Sequence, residues 1–148
     1  MTRGRFSEMK RFELIEHTAD IGVRVYAKDL KELFENSAQA LIFLLVNEKK
    51  EGRKERTIKL EAESWEDLLV TWLNELISLF FAEKFLFCDS DLEIKENKSL
   101  KTLEAKIKGI DFDPYGNKIN MEIKAATYHN LKIKKKADKL EVDIIFDI

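Results

Sequence analysis

The sequence contains one cysteine, one proline and five glycines. A lone cysteine excludes a disulfide framework within the chain, which suits a reducing compartment such as the cytosol. Cys88 lies in the apolar run Phe85-Leu86-Phe87-Cys88, with no base beside it, and reads as a small core residue rather than a nucleophile. So little proline and glycine leaves no linker or low-complexity stretch. The net charge of −2 excludes a protein that coats nucleic acid by bulk positive charge. No run approaches the roughly eighteen apolar residues that span a bilayer, and the first residues lack an apolar signal core. A cytoplasmic protein with no membrane partner is therefore expected.

Several catalytic signatures are absent as well. There is no phosphate-binding Gly-x-x-x-x-Gly-Lys loop, no dinucleotide Gly-x-Gly-x-x-Gly and no Gly-x-Ser-x-Gly elbow. His17 and His129 are the only histidines, too far apart for the i, i+4 spacing of a helical zinc site. Catalytic zinc is not expected.

Charged residues are abundant, at 36%, and Gln39 is the only glutamine. That bias is found in thermophile proteins, where ion-pair networks are favoured and labile amides avoided. A length of 148 residues suits one domain, or one with an internal duplication. Thr2–Glu8 is polar, so residues 1–10 read as a candidate disordered segment, with Met9 as an alternative start.

Hydropathy patterning predicts an α+β fold, with two amphipathic helices packed on mostly antiparallel sheet. Strands are expected at Phe12–Glu16 and Val23–Ala27. Asp29 with Glu32 makes a capping box for a helix ending near Val46-Asn47. The charged stretch Glu48–Glu55 reads as an exposed loop, followed by a strand at Thr57–Ala62. Ser64 caps a second helix, with Asp67 at the box position. Two strand-helix units in succession hint at duplication. Short strands are then expected at Phe85–Cys88, Leu92–Lys95 and Leu103–Ile107. Asp113-Pro114-Tyr115-Gly116-Asn117 is an explicit turn. Alternation at Ile119, Met121, Ile123 and Ala125 predicts another strand, continued by Leu131 and Ile133. A last one carries Leu140, Val142, Ile144 and Phe146. The basic run Lys132, Lys134, Lys135, Lys136 reads as a solvated strand end rather than an RNA contact.

Three features stand apart from the core pattern. His17-Thr18-Ala19-Asp20 places a His and an Asp in a turn between two strands. Lys124–Asn130 interrupts strand alternation with polar and small residues. The strand pattern then persists to Phe146-Asp147-Ile148, where the Ile148 α-carboxylate would follow the Asp147 side chain. Two carboxylates about 4 Å apart repel by about 4 kcal/mol at an effective dielectric near 20. A hard divalent cation would turn that repulsion into binding, with Asp20 as a third carboxylate if the strands are neighbours. A charged strand end in water is the simpler reading of the same residues. His17 and His129 each also fit a structural role. Asn74-Glu75 breaks the apolar stretch of the second helix and reads as facing solvent or capping a neighbour.

The same segments carry a family resemblance. His17-Thr18-Ala19-Asp20-Ile21-Gly22 resembles the amino-terminal signature of the archease family. Leu33-Phe34-Glu35-Asn36 with Ala38 and Ala40 is similar to its first helix, and Trp72-Leu73-Asn74-Glu75-Leu76 to its second. Lys124-Ala125-Ala126-Thr127-Tyr128-His129-Asn130-Leu131 resembles its most specific internal motif, and Phe146-Asp147-Ile148 its acidic terminus. The resemblance implies a non-catalytic activator of the RtcB-type tRNA-splicing RNA ligase, promoting guanylylation and multiple turnover and touching tRNA only indirectly. It also implies a divalent metal, usually calcium with Mg²⁺ or Mn²⁺ as alternatives, held by Asp20, Asp147 and Ile148. Lys124, His129 and His17 are further functional candidates. A stand-alone metal-dependent hydrolase and a general chaperone are the competing expectations.

Overall fold

A computed structural model describes residues 11–15 and 20–148. His17 and the disorder and start-site expectations for residues 1–10 lie outside the described residues. Eight strands and two helices follow in the order β1 (Phe12–Ile15), β2 (Ile21–Ala27), α1 (Leu30–Val46), β3 (Lys54–Ala62), α2 (Trp65–Phe81), β4 (Phe85–Asn97), β5 (Leu100–Asp111), β6 (Ala125–Ala126), β7 (Lys134–Lys136) and β8 (Lys139–Asp147), among the described residues. Every strand pairing is antiparallel. One sheet runs β1-β2-β8-β6, with β7 also on β8; the other runs β3-β5-β4. The expected α+β architecture is therefore what forms.

The helices begin where the polar caps dictate. Asp29 accepts the Glu32 N–H at 2.9 Å, while the Glu32 carboxylate reaches back to the Lys28 N–H at 3.0 Å, one residue before the cap. Ser64 Oγ accepts the Asp67 N–H at 3.0 Å. α1 stops at Asn47, whose φ of 53° is left-handed and whose N–H returns to the Phe43 carbonyl. The helices share this plan, but α1 packs chiefly on β2 and α2 on β3 and β4, and each also touches the other sheet, α1 at β4 and α2 at β6. Trp72 is buried between them and donates Nε1–H to the Phe34 carbonyl at 3.1 Å. Phe34, Phe80, Phe85, Phe87 and Phe146 fill the same core.

Three strand expectations change. Phe85–Cys88 and Leu92–Lys95 are one strand, because a bulge between Phe87 and Asp89 absorbs the polar interruption without ending the ladder. The alternation from Ile119 to Ile123 makes no strand. Its backbone instead caps α1: Asn120 and Met121 donate their N–H groups to the Leu45 carbonyl, at 2.7 and 3.4 Å, and Asn120 Nδ2 donates to Leu44. The carbonyls at the end of a helix need such partners, and an extended segment laid across it supplies them. Leu131 and Ile133 likewise lie outside the ladder, where Ile133 N–H reaches Glu66 in the first turn of α2.

Candidate functional site

The last strand is central, paired with β2 on one side and with β6 and β7 on the other. Val142, Ile144 and Phe146 alternate inward and are buried, so Asp143 and Asp147 face outward. The β2–β8 register runs from Ala27–Leu140 to Ile21–Phe146, and the pair that continues it is Asp20–Asp147. Side chains directly opposite in this way have Cβ atoms about 5 Å apart. On the other side of Asp147 stands Ala125, and the position that continues the β6 register sets Lys124 beside Ile148. Asp20 is half-buried; Asp147, Ile148 and Lys124 are exposed.

The neighbouring rows of this outer face differ in kind. Next to the carboxylates come Ile15, Gly22 and Ile145. Gly22 is needed there, because a Cβ would meet Ile15 Cγ1 at 2.7 Å and Ile145 Cδ1 at 3.0 Å. One row further, Asp143 receives both Nε–H and Nη2–H of Arg24, at 2.7 and 3.0 Å. That fork holds the Asp143 carboxyl below its ordinary range. Glu141 in the next row takes Lys136 at 3.2 Å. Both of those acids have a built-in cation. Asp147 pairs with Ala125 at the end of the strand, and the β2–β8 register, carried one residue past Ile21–Phe146, leads from Asp147 to Asp20.

The Lys124–Asn130 segment is fastened to this end of β8. Lys124 N–H donates to the Asp147 carbonyl at 2.7 Å. Thr127 donates both its N–H and its hydroxyl to the Ile145 carbonyl, each at 2.9 Å. From below, Asn74 of α2 accepts the Ala126 N–H at 2.8 Å and donates to its carbonyl at 3.2 Å. The loop that results displays Tyr128 and His129 to solvent beside the carboxylates, with Asn130 left-handed at φ 51°. Asn74 thus caps a neighbour, the second of the two roles its position suggested. Thr127 and Asn74 hold the site in place, and neither was a sequence candidate for it. A polar amide inside an apolar helix stretch was the available signal.

Chemically, the arrangement offers hard oxygen donors at the solvent-facing end of a central strand. Asp20, Asp147 and main-chain oxygen of Ile148 are the groups that could hold a divalent cation. Among the described residues, no group of three or more His, Cys, Asp or Glu side chains is placed to hold a metal ion. Cys88 is buried, and burial pushes its thiol up. Among the described residues, no helix is long and apolar enough to cross a membrane.

The model of the Archease protein family (MTH1598/TM1083) matches residues 12–148. The chain is 41% identical over 131 residues to the protein archease of Pyrococcus abyssi, covering 88% of this chain and 92% of that one. It is 38% identical over 141 residues to the protein archease of Sulfurisphaera tokodaii, covering 95% and 100%. The solution structure of Methanobacterium thermoautotrophicum protein 1598 superposes with a TM-score of 0.76 at 28% identity, over 95% of this chain and all of that one. The crystal structure of a Thermotoga maritima archease, described as a possible chaperone, gives 0.60 at 25% identity, over 92% and 96%.

Proposed function

The chain belongs to the archease family, and from that premise we propose that it is a non-catalytic accessory protein that activates an RtcB-type RNA ligase. Its working part in this reading is the end of β8, where Asp20 and Asp147 hold a divalent cation, calcium first, with the Ile148 carboxylate beside them. The observation that supports the reading is the register: Asp147 closes a central strand beside Ala125, and the β2–β8 pairing, continued one residue past Ile21–Phe146, leads to Asp20. The donor set fits the group, since calcium takes carboxylate and carbonyl oxygens in flexible geometry. When bound, the ion supplies positive charge that can draw in a nucleotide phosphate.

The protein's own residues do the positioning. The Ile21–Phe146 pair fixes the spacing of the two carboxylates. Thr127 and Asn74 lock the flanking segment, so that Lys124, Tyr128 and His129 stand at a fixed place on the rim. Exposed residues on a loop so firmly anchored are suited to recognition. We assign Lys124 and His129 to contact with the ligase or its nucleotide, and tRNA to the ligase alone.

The deciding experiment is a ligase guanylylation assay with and without this protein. Stimulation that depends on Asp20 and Asp147 supports the reading. Turnover of a nucleotide by the purified protein alone would replace it with a hydrolase. The chaperone description of the Thermotoga maritima relative favours one second reading. Broad suppression of aggregation, unchanged in Asp147→Ala, would select it.

A further inference from the structure

The charged stretch after α1 is more than an exposed loop. At Gly52 it crosses directly over β5: a Cβ on Gly52 would fall 2.3–2.4 Å from the backbone carbonyl carbon, Cα and oxygen of Gly109. Two glycines let backbone lie on backbone there, and the segment 47–53 becomes the wall of a cleft. The cleft has two adjoining compartments that share Arg11, Gln39, Lys49, Lys50 and Cys88. It opens where Phe12 pairs with Val25, at the other end of β2 from Asp20.

One compartment, about 300 Å³, has an apolar side of Phe12, Ile42, Phe43, Leu86, Phe87 and Cys88, faced by Arg11, Gln39, Asn47, Glu48, Lys49 and Lys50. The Phe12 and Phe43 rings meet at 5.6 Å and form an aromatic wall, with Phe43 39% exposed. The other compartment, about 620 Å³, is polar. These sizes are those of small-ligand sites, where an apolar body is buried and a few polar groups set its orientation.

Charge decides which ligand fits. Over both compartments the lining holds Arg11, Lys49, Lys50, Arg53 and Lys108 against Glu32, Glu35, Glu48, Glu51 and Asp89, five of each sign, so what matters is which of them are already paired. Much of the acidity is committed. Glu32 holds the Lys28 N–H in the capping box, and Asp89 accepts the Ser90 N–H while facing Lys108 across the ladder. Burial pushes the Glu35 carboxyl up from its ordinary value. Among the cations Lys50 takes Glu48. Arg11, Lys49 and Arg53 form no ion pair with any described residue.

We propose that this cleft binds a small organic anion with a flat apolar body. The body lies against Phe12 and Phe43 in the apolar compartment, and the acid group meets Arg11, Lys49 and Arg53 in the polar one beside it. This site is separate from the carboxylate pair and does not depend on it.

The test uses the full chain and a fluorescent probe of that chemistry, 8-anilinonaphthalene-1-sulfonate. Fluorescence titration is expected to give saturable one-to-one binding with a Kd of about 10 µM. The uncharged N-phenyl-1-naphthylamine should bind at least about tenfold more weakly, and so should the sulfonate to Lys49→Glu/Arg53→Glu. Both altered positions are on the surface, and an unchanged melting temperature will show that the fold is intact. Phe43→Ala should weaken both probes, while Lys98→Glu, at the exposed turn of the β4–β5 hairpin, should change neither. Linear, unsaturable fluorescence overturns the proposal, as does binding that ignores the charge reversal. Sedimentation at the same concentrations covers a further occupant: a dimer whose formation quenches the probe signal would assign the cleft to a second copy of the protein.

Discussion

Asn74 holds both main-chain groups of Ala126, accepting its N–H at 2.8 Å and donating to its carbonyl at 3.2 Å. The clasp is 52 residues long in sequence and pins the two-residue strand β6 to α2 as well as to β8.

Losing it should be costly and local. Ala126 is buried, so Asn74→Ala leaves a buried donor and acceptor unsatisfied. A cost of about 1–3 kcal/mol is expected. Thermal melting should drop accordingly, and amide exchange should speed up from Lys124 to Leu131 more than in β2 or β5. Uniform acceleration across the protein would show that Asn74 supports the core rather than the segment.

Much of the fold was legible, for identifiable reasons. Asp29, Ser64 and the apolar stripes are local signals, and both helices begin at those caps. The turn at Asp113 was equally explicit: its carbonyl accepts the Gly116 N–H and its carboxylate the Tyr115 N–H. What misled was pattern without ladder. Ile119 to Ile123 alternates because it lies extended over the end of α1, and alternation alone does not say whether the backbone bonds to a strand or to a helix terminus. The bulge at Cys88 hid the continuity of β4 in the opposite way. At the site, Asp20 and Asp147 were legible as chemistry, while what leads from one to the other is register, a long-range property. The cleft could not be read at all, because it depends on Gly52 meeting Gly109.

Tyr26 should make the fold sensitive to alkali. Its phenol is pushed up to about 12, by burial first and then by the hydrogen bond it donates to Glu13. An ordinary tyrosine ionises near 10. The folded state therefore favours the protonated phenol, and the stability this contributes is complete below about pH 10 and lost as pH rises toward 12. Tyr26→Phe should melt below the parent at pH 8 and close that gap by about pH 11.5. A gap that stays constant with pH would remove Tyr26 as the titrating group.

Gly109 should tolerate no side chain. A Cβ there would stand 2.2 Å from the Leu86 carbonyl oxygen and 2.7 Å from the Phe85 ring, and a main-chain oxygen in a paired strand cannot move aside cheaply. Gly109→Ala is expected to lose about 1–3 kcal/mol, lowering the melting temperature by about 2–4 °C per kcal/mol. Glycine at 109 is not held by an unusual φ, since no glycine has a positive one among the described residues. A harmless Gly109→Ala would mean that β4 and β5 separate more easily than their pairing implies.

Asp20 and Asp147 should behave as one unit toward calcium. Asp147 faces outward at the end of β8, and the β2–β8 register leads from Ile21–Phe146 to Asp20. In the proposed site each supplies oxygen to the same ion, so removing either should abolish the gain that saturating calcium gives the parent. That gain is about 2.7 kcal/mol at a hundredfold excess over Kd. The double variant should then be little worse than either single one, because residues sharing a ligand are not additive. Without calcium, Asp147→Asn should melt no lower than the parent, since it relieves carboxylate repulsion. Asp143→Asn is the informative control. It faces the same solvent but is committed to Arg24, so its calcium-dependent rise should match the parent's, while its calcium-free stability falls. Melting curves of these variants with and without calcium check every arm. A full calcium-dependent rise in Asp20→Asn or in Asp147→Asn would strike that residue from the site.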